Sequence, residues 1–483
     1  MILIIFFDGL RPDQVTEEST PNLLRLSRRG VSFDNHHAAF PTHTRVNVAS
    51  LVTGCYPERH GLMNNRFFLP EVDPSWRIDS GNHEDLRRLD ARVDGELLMS
   101  STLGEVLHGA GHTLAAIGVG TSGNAFLQNH KASSIPGTVI HPDFVLGDSR
   151  VSAFLERFGP WPETGLPNKA RAERAVKVLL EYLIPQYSPS VACLWISDPD
   201  STQHSTAVNS PEASEGIRWN DGQLGRILDH LERSGLADST DVLVASDHGH
   251  STVVGTVDVS GILVEAGLKA GRDSTDVLVA DNGGCESIYV PDRDGDKVRA
   301  IVELLMAQPW CGPIFTRDAS GPVPGTLPMS LIHNDNERSS DILFSFGWDS
   351  SVNPYGFPGG VFSAGGRVGI GMHGSLSPYE VRSMLVAAGP HFKESMRSTV
   401  PSGIVDLFPT VLHILGVEPP GPVDGRVLHE ALDGGPDPRE IFVETTVHRA
   451  SASVNNANYH QEVQVSRVGD TVYVDKGRAG LEA

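Results

Sequence analysis

An α/β fold, with a mostly parallel central sheet and helices on both of its faces, is predicted by three features of this chain. The first strand, "ILIIFF" at residues 2–7, is apolar at every position, as a strand buried on both faces must be. Helical segments then alternate with further apolar strands along most of the sequence. Carboxylates and imidazoles stand directly after several of those strands, at the carboxyl ends where parallel sheets bind ligands.

Taken in order, "TPNLLRLSRRG" carries a Pro21 start, apolar spacing at Leu23, Leu24 and Leu26 and a Gly30 stop, which predicts a short helix. "RVNVASLVTG" predicts a helix that follows Thr44. "STLGEVLHGAG" leads into the strand "TLAAIGVG", "KARAERAVKVLLEYL" into "VACLWIS", and "WNDGQLGRILDHLERSG" into "DVLVAS". Residues 121–166 are turn-rich and read as an irregular insertion. Residues 256–370 mix short strands, the helix "KVRAIVELLMAQ" and Gly/Pro turns, and read as a second insertion over the sheet edge that serves as a cap. "MLVAAGP" and "GIVDLFPTVLHILGV" resume the alternation. The expected organisation is a catalytic domain over 1–435 and a tail over 436–483, in which "EVQVSRVGDTVYVDK" predicts a β-hairpin turning at Gly469-Asp470.

Composition narrows the function. The 483 residues carry a net charge of -22, which excludes a general polyanion-binding surface, so no nucleic-acid polymer is expected as partner. A phosphate-bearing substrate would need local positive charge, such as metal ions. Cys55, Cys193, Cys285 and Cys311 form no close pair, which reads as a reducing compartment. The N-terminal apolar run is too short for a membrane span and lacks the features of a signal peptide, so a soluble, cytoplasmic protein without a membrane partner is expected. The terminal hairpin offers an edge for pairing with a neighbour, and a homodimer is a further expectation.

Asp8, Asp200 with His204 in "DPDSTQH", Asp247 with His248 in "SDHGH", and His373 in "GMHGS" make four clusters. Singly, each has an ordinary explanation as a turn, a cap or a surface imidazole. Jointly, mixed Asp and His donors at strand ends suit zinc and similar divalent ions, and six donors can hold two ions with an open position on each. Two ions a few ångströms apart clamp a phosphoryl group. The stretch "FPTHTRVNVASLVTGCYPERHGLMNN" adds three candidate nucleophiles: Thr42, Thr44 and Cys55, the last in a C-x-P-x-R pattern.

The ordered set "FFDGLRPD", "FPTHTRVNVASLVTGCYPERHGLMNN", "PDSTQH", "SDHGH", "GMHGS", "DLFPTVLHILGV" and "DGRVLHEAL" resembles the alkaline phosphatase superfamily, and within it the nucleotide pyrophosphatase/phosphodiesterase family, over roughly residues 1 to 430. The resemblance implies an alkaline-phosphatase-like sandwich. It implies two metal ions, zinc by family expectation with manganese or iron compatible: Asp8, Asp247 and His248 hold one beside the nucleophile, and Asp200, His204 and His373 hold the other. It implies a threonine nucleophile in P-T-x-T-x-x-N, here Thr44, which also faces the metals. Thr53-Gly54 lies nine and ten residues after Thr44, the offset that related sulfatases keep after their modified cysteine, so Cys55 is out of register and Thr42 is structural. The asparagine that donates to a phosphoryl oxygen falls at Asn65, with Asn64 its neighbour.

One departure bears on substrate. Nucleotide-cleaving members commonly have an aromatic residue directly after the nucleophile; here it is Arg45, a candidate contact for an anionic group on the substrate. The expected activity is two-metal hydrolysis of a small phosphodiester or pyrophosphate through a phosphothreonine. The rivals are a phosphonate hydrolase of the phosphonoacetate hydrolase type, a sulfatase, and a non-catalytic metal-binding protein.

Overall fold

A computed structural model describes residues 1–147 and 151–482. Its centre is a ten-stranded mixed sheet. The strands run in the order Met396–Ser398, Val31–His37, Arg382–Ala388, Asp241–Ala245, Ile2–Phe7, Val191–Ile196, Leu114–Gly118, Gly137–His141, Phe144–Leu146, with Ser402–Gly403 beside Val31–His37. The five strands from Asp241–Ala245 to Gly137–His141 are mutually parallel, and Arg382–Ala388 joins them antiparallel.

The uniform apolarity of Ile2–Phe7 follows from its place in the middle of this sheet. Ile2, Ile4 and Phe6 face one layer, packed with Val48, Leu51 and Val52 of the Thr44–Thr53 helix and with Phe408 and Val411 of the Leu407–Ile414 helix. Leu3, Ile5 and Phe7 face the other, against Leu23, Leu26, Ile217, Leu224 and Ile227. Each such side chain contributes roughly 1.5–3 kcal/mol of transfer free energy, and the period of two divides them between layers. The longest helix, Pro211–Arg233, begins with Pro at its first position and Ser210 accepting a hydrogen bond from the Ala213 amide at 3.1 Å.

Three sequence expectations are corrected. The segment 121–166, expected to be irregular, contains the Ser122–Gln128 helix and two strands of the central sheet, Gly137–His141 and Phe144–Leu146; residues 148–150 of it lie outside the described residues. These strands are too short, at five and three residues, for their periodicity to stand out between Gly, Pro and Asp. Val31–His37, unassigned from sequence, is a sheet strand whose partly polar composition suits its place outside the parallel core. The tail holds three long antiparallel strands rather than a single hairpin: Glu444–Val454, Ala457–Val468 and Thr471–Glu482. The extra turn is Asn455-Asn456, both at positive φ (48° and 65°), as a type I′ hairpin requires. Residue 483 lies outside the described residues.

Within 256–370, a five-stranded sheet (Leu278–Asn282, Cys285–Tyr289, Ile342–Phe346, Cys311–Thr316, Leu327–Pro328) packs on the Gly295–Met306 helix. The C-terminal sheet bridges both bodies: Tyr459 Oη donates to the Gly312 carbonyl and Tyr473 Oη to Asp406, both at 2.8 Å. No helix among the described residues is long and apolar enough to cross a membrane.

The loop carrying His373 is anchored by a buried carboxylate. Glu380 Oε2 accepts from the Ser375 amide at 2.6 Å, while Thr42 Oγ1 donates to the Ser375 carbonyl and accepts from the Gly374 amide. Glu380 Oε1 is buried without a hydrogen-bond partner, and burial pushes the carboxyl up to about 7. A folded-state pKa above the unfolded one contributes stability at low pH that is lost as pH rises through 7. Glu380→Gln supplies a neutral group of the same shape. It should match the wild type in stability near pH 4 and exceed it by about 3 kcal/mol at pH 8, as read by denaturant unfolding at both pH values.

Candidate functional site

The site lies at the carboxyl ends of three adjacent parallel strands. Phe6 pairs with both Ala245 and Trp195, so Asp8 and Asp247, each two residues further on, emerge at equivalent depth. Both are buried. Trp195, stacked on Phe6 at 4.0 Å, donates its indole N–H to Asp8 Oδ2 at 2.8 Å, and the Gly9 amide donates to Asp247 Oδ1 at 3.0 Å. The other oxygen of each carboxylate, Asp8 Oδ1 and Asp247 Oδ2, is buried with no hydrogen-bond partner. His248 Nε2 lies 3.7 Å from the first and 3.3 Å from the second. Asp8, Asp247 and His248 thus form one compact donor group.

A second group gathers around Asp200, at the start of the Asp200–Ser205 helix. Its Oδ1 lies 3.1 Å from His204 Nε2, 3.2 Å from His250 Nε2 and 3.4 Å from His373 Nε2. All six donors expected from sequence are therefore brought into two adjoining groups, with His373 stacked on His248 at 3.7 Å between ring centroids. His250 is an additional member that the sequence reading passed over. Its signal was the spacing: His248 and His250 are two apart in extended chain leading into the Ser251–Thr256 strand, which aims both rings to one side. Asp198, the other acid after the Val191–Ile196 strand, is committed elsewhere, accepting from Thr202 Oγ1 and the Asn168 amide at 2.6 Å each.

The electrostatics fit a cation. Burial, reinforced by Asp247 and Asp200, holds the Asp8 carboxyl well above its ordinary pKa, and burial with the charge of Asp200 pushes Asp247 up to about 7. Burial also drives three of the imidazoles toward neutrality, His248 well down, His250 down and His373 to about 4, whereas Asp200 raises His204 against its burial. A divalent cation satisfies both groups at once, because it favours ionised carboxylates and neutral imidazoles as ligands. Mixed oxygen and nitrogen donors with orphaned, inward-facing atoms suit zinc, manganese or iron.

Thr44 is the first residue of the Thr44–Thr53 helix, and its Oγ1 lies 3.2 Å from His248 Nε2. Asn47 fixes the preceding turn, accepting from the Ala39 amide at 2.7 Å and donating to the His43 carbonyl at 3.0 Å. The helix start therefore presents unpaired amides and the positive dipole end beside the two donor groups. Thr42 is spent on the His373 loop, its carbonyl accepting from His373 Nδ1 at 2.7 Å. Cys55 sits past the opposite end of the helix, roughly 15 Å along its axis, with its thiol buried and its pKa raised by that burial.

Asn64 and Asn65 are separated by their bonding. Asn64 is buried, its Oδ1 accepting from the Asn65 amide and bonded to His43 Nδ1, its Nδ2 donating to Ser287. Asn65 Oδ1 accepts from the Arg45 amide at 3.3 Å, which leaves Nδ2 without a protein partner among the described residues. Arg45 follows Thr44 at the helix start. Its Nε is buried with no hydrogen-bond partner, and Asp79, Asp200 and Asp8 are the acids whose charge acts on it. Gly9, at φ +69°, completes the floor: a Cβ there would fall 2.4 Å from His250 Cε1.

Comparison with known proteins finds relatives in both sequence and fold. The mouse ectonucleotide pyrophosphatase/phosphodiesterase family member 7 is 25% identical over 255 residues, 52% of this chain and 50% of that protein. The human family member 5 is 25% identical over 249 residues, 51% of this chain and 44% of that protein. The chain thus spans about half the length of the curated relatives it matches. Murine family member 5 superposes with a TM-score of 0.64 at 19% identity, covering 89% of this chain and all (100%) of that one. An inactive threonine-to-alanine variant of it, solved in complex with AMP, gives the same TM-score of 0.64. The likeness bears out the alkaline-phosphatase-like fold. The model of the type I phosphodiesterase/nucleotide pyrophosphatase family matches residues 2–355, through the helix start and both aspartate-histidine clusters that follow it, and the chain belongs to that family.

Proposed function

We propose that this protein is a two-metal-dependent hydrolase of small phosphodiester or pyrophosphate substrates, acting through a phosphothreonine at Thr44. The observation that carries the reading is the position of Thr44 Oγ1, at a helix N-terminus and 3.2 Å from His248 in the first of two adjoining donor groups. Asp8, Asp247 and His248 would hold one ion and Asp200, His204 and His373 the other. Two such ions supply Lewis-acid polarisation of the phosphoryl oxygens and favour the alkoxide form of an otherwise weak hydroxyl nucleophile. The chain's own contribution is placement. The helix start aims Thr44 Oγ1 at phosphorus while its free amides face the equatorial oxygens. Asn65, held through Oδ1 by the Arg45 amide, directs its Nδ2 toward one of those oxygens. The Thr44–phosphorus bond forms as the bond to the leaving oxygen breaks, and water then attacks phosphorus and restores the hydroxyl. The AMP held by the family member 5 variant supports a nucleotide-like substrate as one class.

Arg45 favours a second reading beside the first. A guanidinium whose buried Nε lacks a partner suits a substrate that carries a second anionic group, such as a phosphonate bearing a carboxylate. That is the chemistry of a phosphonoacetate-type hydrolase.

Thr44→Ala should lower kcat by at least ~10³-fold while mass spectrometry finds two ions per chain, as in the wild type. Chelation should abolish wild-type turnover, and Zn²⁺ or Mn²⁺ should restore it. Turnover by the variant at the wild-type rate removes Thr44 from the mechanism. Arg45→Ala should raise KM for a substrate with a second anionic group by roughly 10–100-fold, the loss of one charge-assisted hydrogen bond, and leave kcat/KM for bis-p-nitrophenyl phosphate within about twofold. Wild-type hydrolysis of phosphonoacetate with none of bis-p-nitrophenyl phosphate would select the phosphonate reading.

A further inference from the structure

His250 has no part in the six-ligand reading, yet its surroundings repeat those of two of the proposed ligands. His204 Nδ1 lies 3.0 Å from the Gly371 carbonyl, His373 Nδ1 2.7 Å from the Thr42 carbonyl, and His250 Nδ1 3.2 Å from the Gly9 carbonyl. A carbonyl oxygen only accepts, so each contact places a proton on Nδ1, and in the neutral ring, the form that ligates a metal, Nε2 is the lone pair. All three lone pairs then face one acceptor, Asp200 Oδ1, at 3.1, 3.2 and 3.4 Å. Lone pairs directed at a carboxylate oxygen repel it unless a cation lies between them. His250 is buried, and its Nε2 has no hydrogen-bond partner among the described residues. The three nitrogens and the oxygen all lie within 4.8 Å of one another. Donors bound at about 2.0–2.1 Å around a tetrahedral ion stand roughly 3.3 Å apart, which the three measured separations match.

We propose that His250 Nε2 is a fourth protein donor to the ion held by Asp200, His204 and His373, making that position a three-histidine, one-carboxylate site that would admit a substrate oxygen by expanding to five-coordinate. The neighbouring position keeps Asp8, Asp247 and His248, with Thr44 Oγ1 beside them. The inference rests on the two-metal reading of the same site.

The test uses the full chain and zinc. In His250→Gln, chelator competition should show one of the two Zn²⁺ affinities reduced at least ~100-fold, more than the loss of an outer hydrogen bond, with the other within about threefold of the wild type. Equal affinities in variant and wild type overturn the fourth donor and leave the two-metal reading intact. A wild-type chain that binds no divalent ion overturns both. Should the variant fail to fold, a crystal structure of the zinc-loaded wild type decides. His250 Nε2 at about 2.0–2.1 Å from an ion is expected, and His250 hydrogen-bonded to Asp200 without touching the ion overturns the proposal.

Discussion

Three carboxylates and four imidazoles are crowded into one largely dry pocket, and the molecule around them is built to keep them there. Burial with Asp247 and Asp200 raises the cost of ionising Asp8, and burial with Asp200 that of Asp247, whereas His204, His250 and His373 hold Asp200 itself well below the usual carboxylate range against its burial. Burial with His373 and His250 in turn disfavours a charge on His248. Left to local preference, such groups would separate into water. They are held because Asp8 and Asp247 end strands buried on both faces, and because each carboxylate has one oxygen pinned, by Trp195 in one case and by Gly9 in the other. Burial of the Ile2–Phe7 strand and its neighbours therefore sets the rigidity of the site as well as the stability of the fold.

The rim answers a different need. The chain carries a net charge of -22, so any anionic ligand would approach an acidic body. Arg45 follows Thr44 at the helix start, and Arg66 is paired with Asp79 at 3.7 Å and Asp281 at 3.6 Å. Asp281 comes from the 256–370 segment, so the second sheet supplies part of the charge that balances Arg66, while Asp79, Asp200 and Asp8 are the acids whose charge acts on Arg45.

Much of this was legible in the sequence, for physical reasons. Uniformly apolar runs mark strands covered on both sides, and acids directly after them mark the ligand-binding edge, so the clusters around Asp8, Asp200 and Asp247 could be anticipated without coordinates, while their division into two donor groups with His373 came from the family resemblance. Short or half-polar strands could not: Val31–His37 and Gly137–His141 owe their conformation to neighbours far along the chain. The Asn455-Asn456 turn carried a local hairpin signal that its less apolar flanks obscured. Asn64 and Asn65, indistinguishable by residue type, were separated only by the hydrogen bonds that consume one and free the other. His250 shows the converse failure, a legible period of two hidden because the motif before it already seemed complete.

Gly9 ties these features together. Its positive φ alone disfavours any side chain, its amide holds Asp247, and the space above its Cα is filled by the His250 ring. Position 9 and position 250 are therefore coupled in one direction. A relative can replace the histidine and retain the glycine for its backbone, but a relative with any larger residue at position 9 has no room for this histidine. Across related chains, a side chain at the first position should predict the absence of an imidazole at the second.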